Sequence, residues 1–415
     1  MQVRILLTGV AACAILGMAA CSGGAPQDTE GQLTAAQAEI AQLRTQLQQA
    51  RASAATQGGP AATENVVYGF GPGRIAIIEP QSARVVKEIT SGLERTDFAD
   101  PIVTPDNRWL LVNDQANAQV VVIDTAKQEI AKRIDVGPRP VHIFNPLKSN
   151  EIWTHSDEEG AFYVIDTNTM EVTARVVAAR DNTGHGKLID HPTLGSKAYA
   201  TNVTSPDVWI VDLQGKQVTG SIPVCDGQGG THAKAYSSVS RHAYFECTAT
   251  GKTMVIDTGT DTVLKQLDGS GYLQTSPDEK YVVVLDKRNS RIQLIDASKG
   301  SEIAASIPVE GGADSLGFFE DGGRLYAFTA NTLAPDAALV DFQDMKVVKR
   351  VAAGDIVRPE GASTLHRHGE TDGNYFLTSA SADGVITIID TGKRTLHAAV
   401  PLPSANEVAY VGTRR

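Results

Sequence analysis

Long apolar runs are missing from this chain of 415 residues. No stretch of 18 consecutive apolar residues occurs, so nothing in it reads as a full membrane span. Positive charge is in deficit, with Lys+Arg 37 against Asp+Glu 48 and a formal net charge of −11. That balance excludes a general nucleic-acid binder and a polybasic membrane-surface protein. The common catalytic signatures are absent: there is no GxSxG elbow, no P-loop, no HExxH and no CxxCH for covalent haem. Tryptophan is scarce at 3 residues and cysteine at 4, whereas glycine reaches 38, the mark of a chain with many turns.

Met1 to Ala20 has a short basic start at Arg4 and an apolar stretch from Ile5 that ends in small residues before Cys21. This is the shape of a secretory signal and is set aside from fold reasoning. Met18-Ala19-Ala20-Cys21 resembles the bacterial lipobox, with Met18 where that pattern prefers Leu, Val or Ile. The resemblance implies cleavage before a lipidated Cys21, and Ser22 in place of Asp implies sorting to the outer membrane. The expected location is therefore the periplasm, with the membrane reached through a lipid anchor.

Residues 21–65 are expected to form a tether. Thr29-Glu30-Gly31-Gln32 can act as a capping box, and Leu33, Ile40, Leu47 and Ala54 recur every seven residues with Ala36, Leu43 and Ala50 between them. This predicts a helix over about 30–56, ended by Gly58-Gly59-Pro60. It is read either as a short oligomerising coiled coil or as a solvated spacer.

From Val66 one phrase recurs: a β-branched run, an acid, a tight turn and a second strand. Examples are Val120-Val121-Val122-Ile123-Asp124, Tyr163-Val164-Ile165-Asp166 and Thr387-Ile388-Ile389-Asp390. The acidic anchors stand at 79, 124, 166, 212, 257, 296, 341 and 390, a period near 44 with room for about four short strands per unit. The acid can accept from backbone amides of the turn that follows. Eight anchors predict an all-β, eight-bladed β-propeller over 66–415. The first unit starts on what reads as its second strand, and Asn406-Glu407-Val408-Ala409-Tyr410-Val411 reads as a lone first strand. The C-terminal strand is therefore expected to close the ring.

The repeat resembles the YVTN/YncE-type β-propeller family across roughly 66–412, which implies fold and says little of function. Eight units without a repeated acidic cage do not suit the lactonase propellers, and three tryptophans cannot supply the docking repeats of quinoprotein dehydrogenases.

Histidine carries the functional signal. His185 lies seven before Pro192 and His232 seven before Val239, the same rim position in consecutive blades, with His142 near the start of an inner strand one blade earlier. His366 and His368 belong to the corresponding region of the eighth blade. Such imidazoles can bind Zn²⁺ or Cu²⁺, and Gly184, Gly186, Gly229 and Gly230 supply turns that aim them. His155, His191, His242 and His397 fall outside this alignment and are expected on the surface or in turns. In an oxidising compartment Cys225 and Cys247 are expected to form a disulfide, closing a loop that contains His232 and contributing about 3 kcal/mol. A thiolate metal site is the alternative.

Cys225, Thr231-His232-Ala233, Cys247 and Arg139-Pro140-Val141-His142 are faintly similar to periplasmic zinc-chaperone propellers, although the His-rich acidic segment of those proteins is missing. A second resemblance, in architecture and residue types, is to d1-haem propellers. It implies a His on iron and Arg139, Lys187, Lys234 and Arg367 on carboxylates. The leading reading is a ligand-binding protein, not an enzyme, that holds a divalent transition metal, zinc or copper, at its His-bearing face. The alternatives are a metal-free scaffold for a protein or envelope partner, and a d1-haem-type redox or cofactor-assembly protein.

Overall fold

The structure, a computed structural model, describes residues 29–54, 65–227, 229–358 and 365–412. The signal sequence and lipobox at 1–21 lie outside the described residues. One helix, Thr29–Ala54, precedes the strands. No helix among the described residues is long and apolar enough to cross a membrane.

The strands form eight four-stranded antiparallel sheets, an eight-bladed propeller. Blade 1 is assembled from both ends of the strand region. Its inner strand is Glu407–Val411, which pairs with Val66–Gly71 through Val67↔Tyr410 and Gly69↔Val408. The expected closure is therefore present: the C-terminal strand completes blade 1 and so joins the two ends of the ring.

The anchors work locally as expected. Asp166 Oδ1 accepts from the Asn168 amide at 2.7 Å, Asp257 Oδ1 from Gly259 at 2.7 Å and Asp390 Oδ1 from Lys393 at 2.8 Å. The residue four beyond each anchor has positive φ, and only one of these eight is glycine, Gly300; the others include Ala83, Gln128 and Met170. The glycines are thus not what makes these turns. The carboxylate-to-amide bonds hold ordinary residues in the left-handed region instead. A register shift recurs between the third and fourth strands of every blade, as at Val122/Ile123 and Val164/Ile165, and adds to the local twist.

The core lies between blades. Tyr68, Phe70, Ile75 and Ile77 of blade 1 pack with Leu110, Val112, Val121 and Ile123 of blade 2. Blade 8 packs on blade 1 through Leu377, Ile386 and Ile388 against Val67, Ala76 and Ile78. Middle strands are apolar on both sides because both sides are covered, and this is why the repeat reads as unbroken β-branched runs. Near the end of the helix, Leu47 and Ala50 lie on Ala380, Val385 and Ala399 of blade 8, and the Arg51 guanidinium donates to the Asp383 carbonyl at 3.1 Å. Two positions of the heptad stripe are therefore covered by this chain's own propeller.

Candidate metal centre at the channel mouth

The inner strands line the channel, and at its mouth several depart from regular pairing. Register shifts fall between Ala99 and Ile102 in blade 2, Pro140 and Ile143 in blade 3, Thr231 and Lys234 in blade 5, and Ala313 and Ser315 in blade 7. Each irregularity contains a polar residue of the mouth: Asp100 (φ 42°), His142, His232 and Asp314. A bulge re-aims a side chain that strict alternation would turn elsewhere.

In blade 4 the chain enters its inner strand, Gly186–Ile189, through Gly184 and His185. Gly184 has φ 114°, and a Cβ there would meet Asn202 Oδ1 at 2.1 Å. In blade 5 a Cβ on Gly230 would meet the Val203 carbonyl oxygen at 2.0 Å. Only glycine brings the backbone this close just ahead of His185 and of His232.

His142, His185 and His232 meet at one point, their ligand atoms within 4.8 Å of one another. His142 Nε2 lies 2.8 Å from His185 Nε2, and the His232 ring centroid is 5.1 Å from that of His185. Each ring is held at Nδ1 by a carboxylate: His142 by Asp100, His185 by Asp157 at 2.9 Å, and His232 by Glu246 at 3.4 Å. The buried Nε2 of His232 has no hydrogen-bond partner. An Nδ1–H that donates to a carboxylate leaves the lone pair on Nε2, where a metal would take it.

Burial, with the Lys187 charge, pushes the His142 imidazole well below its ordinary value, and burial takes His232 down to about 4. These two rings are therefore neutral near pH 7, the form that ligates. Burial opposes ionisation of Asp157, but hydrogen bonds from His155 and His185 hold its carboxyl well below the usual range.

The structure places His366 and His368 on other partners. His366 Nδ1 lies 3.0 Å from the Tyr272 hydroxyl and 3.5 Å from Asp314 Oδ2. His368 Nδ1 lies 2.9 Å from Glu407 Oε2 and 3.6 Å from Asp100 Oδ1. The Glu407 charge, opposed by burial and helped by Asp100, raises His368 to about 10, and Asp100, His368 and Glu407 bring ligand atoms within 4.8 Å of one another, a second set able to hold a metal ion. Arg367, between these two histidines in sequence, is buried. It donates to the carbonyls of Asn331, Ala353 and Gly354 and fixes the backbone that presents them.

His155 corrects the expectation of a surface residue. It is 0% exposed, edge-on to Phe162 at 4.8 Å, with Nδ1 3.1 Å from Asp157 Oδ1. It closes the second strand of blade 3 at the mouth, where Phe162 and the backbone at Gly186 of the next blade cover it, and it helps seat the carboxylate that orients His185. His191, His242 and His397 bind Glu279, Ser301 and the Gln81 carbonyl, away from the cluster.

The carboxylates Asp100, Asp157, Glu246, Asp314 and Glu407 and the phenol of Tyr272 were not singled out by sequence reasoning. Cys225 and Cys247 are disulfide-bonded, with Cα atoms 5.6 Å apart, and join the end of blade 4 to the second strand of blade 5. The thiolate alternative is thereby set aside.

No family model matches the chain. Among solved structures it is similar to the dihydro-heme d1 dehydrogenase NirN in complex with DHE, at 15% identity over 86% of this chain and 78% of that one, with a TM-score of 0.68. It is similar also to apo AztD from Citrobacter koseri, at 12% identity over 84% and 97% of the two chains, TM-score 0.61. Hydrazine synthase from Kuenenia stuttgartiensis matches at 14% identity over 73% and 99%, TM-score 0.53. At these identities the likeness is one of fold.

Proposed function

We propose that this protein binds a divalent transition-metal ion, zinc or copper, through the Nε2 atoms of His142, His185 and His232 at the mouth of the propeller channel. The observation that carries the reading is the set of three imidazoles, each oriented by its own carboxylate and all converging on one point. A tetrahedral ion with Zn–N bonds of about 2.0–2.1 Å needs N···N separations of about 3.3 Å. The present spread, from 2.8 Å to within 4.8 Å, reaches that value by small ring movements.

The same geometry disfavours a flat macrocycle. Ring centroids of 4.4 Å between His142 and His185 and 6.5 Å between His142 and His232 leave the histidines packed on one another, with no slot between them. The lipobox resemblance of Met18 to Cys21 supports a lipid-anchored periplasmic protein, sorted to the outer membrane, that presents this mouth to a partner.

Elemental analysis of the protein purified from its own host, followed by chelator-competition titration with Zn²⁺, tests the metal. Stoichiometric tight binding is expected in the wild type, with its loss in His185→Ala/His232→Ala. Unchanged affinity in that double variant would overturn the reading. Mass measurement of the membrane fraction tests the anchor, with cleavage before Cys21 and added acyl mass as the expected result.

A further inference from the structure

Beside the three imidazoles the channel carries two lysines that form no direct ion pair with a carboxylate among the described residues. Lys187 and Lys234 each follow a histidine of the cluster by two residues, in the inner strands of blades 4 and 5. Lys187 is 8% exposed, and its ammonium lies 4.4 Å from the centroid of Tyr272, whose ring in turn stands edge-on to His232 at 5.6 Å. The Lys234 ammonium lies 5.7 Å from the Phe144 centroid.

Among the described residues no carboxylate lies within ion-pair distance of either ammonium: Asp190, whose charge acts on Lys234, accepts from the Leu147 amide, and the other acids are committed elsewhere. Asp100 serves His142 and His368, Asp157 serves His155 and His185, and Glu246 serves His232. Glu407 serves His368, while Asp314 accepts from Lys287 and from the Arg367 amide. A cation–π contact offsets part of the cost of burying an ammonium, which without a counter-charge is several kcal/mol. A divalent ion on the three Nε2 atoms adds further positive charge to the same space.

Three histidines leave one position of a tetrahedral ion open. We propose that a small oxyanion, a carboxylate or a phosphate, takes that position, with one oxygen on the metal and another on the Lys187 ammonium, while Lys234 adds a second charge. This rests on the metal reading above. The ligand class follows from the wall itself: two buried lysines that no carboxylate pairs directly, beside a three-histidine donor set, call for oxygen and negative charge.

The full chain loaded with Co²⁺ tests it, because the visible bands of cobalt report its coordination. Malonate and inorganic phosphate are titrated separately at constant ionic strength, with chloride as control, so that the two oxyanion classes are distinguished. At least one should shift the bands saturably. Lys187→Met should weaken that anion's Kd by at least about tenfold without weakening Co²⁺ binding, and Lys187→Arg should keep the response. Should Lys187→Met fail to fold, Lys234→Met is read in the same way, with an expected loss of about threefold. If Co²⁺ binds and neither anion moves the bands, or if the lysine variants bind the anion as the wild type does, the inference is overturned and the metal reading stands. If Co²⁺ does not bind, both fall.

Discussion

Two arcs of the same channel mouth use the same residue types to opposite ends. In the arc of blades 3 to 5, each histidine has one carboxylate on Nδ1 and faces another imidazole with Nε2. In the arc of blades 8, 1 and 2, His368 stands between two carboxylates, Glu407 and Asp100. One carboxylate orients each ring of the first arc, and burial leaves His142 and His232 neutral donors. Two, Glu407 and Asp100, raise His368 and through it tie the closing strand to blade 2. Asp100, His368 and Glu407 also bring ligand atoms within 4.8 Å of one another, so a mixed carboxylate–imidazole set stands beside the all-imidazole one. Asp100 joins the arcs, since its two oxygens face His142 and His368.

The comparison breaks most sharply if ligands are removed from each arc in turn. His185→Ala with His232→Ala should reduce Zn²⁺ affinity by at least about a thousandfold, two of three donors being lost, while the melting temperature measured in a chelator stays close to wild type. His368→Ala should do the reverse. It removes the cation from a pair of buried acids and should cost about 3 kcal/mol in urea unfolding, with Zn²⁺ affinity changed by less than about tenfold. A His368 variant that lost metal as completely as the double variant would merge the two arcs into one site.

The orienting carboxylates sharpen the same contrast at smaller amplitude. Glu246→Gln and Asp157→Asn keep shape and hydrogen bonding but remove the charge that favours Nε2 as the donor. Each should weaken Zn²⁺ binding by about 10- to 100-fold in competition titrations. Asp157→Asn is expected to show the larger loss, since Asp157 also seats His155 beneath His185.

Sequence periodicity carried the fold well because its cues are local. The anchoring aspartates bond amides two or three residues away, and the β-branched runs reflect burial on both sides. The closing strand was legible as the first strand that blade 1 lacks within its own run. Counting residues back from turns brought His185 and His232 to one position because both follow a glycine-controlled approach of similar length. Their acids were not legible. Asp100 is presented by a register shift that no spacing rule anticipates, and Asp157 and Glu246 sit at the far ends of second strands, where pattern alone does not tell rim from surface. His155 was misjudged for a similar reason: it is covered by Phe162 of its own blade and by the backbone at Gly186 of the next, contacts that a single strand pattern does not contain.

The smallest effect expected is the pH dependence of the charged arc, and its sign is fixed. His368 is raised from an ordinary 6.5 to about 10, chiefly by Glu407, so the folded chain holds a proton that the unfolded chain releases. The stability this supplies is fully present below about pH 6.5 and is lost as pH rises toward about 10. The gap in unfolding free energy between wild type and His368→Gln, measured in a chelator, should therefore narrow by at least about 1 kcal/mol between pH 6 and 9.5. In the other arc no such narrowing is expected for His232→Gln over that interval, because burial places His232 at about 4, below the whole range. Equal slopes for the two variants would mean that the acids around His368 do not hold its proton, and the division between a donor arc and a charged arc would then be wrong.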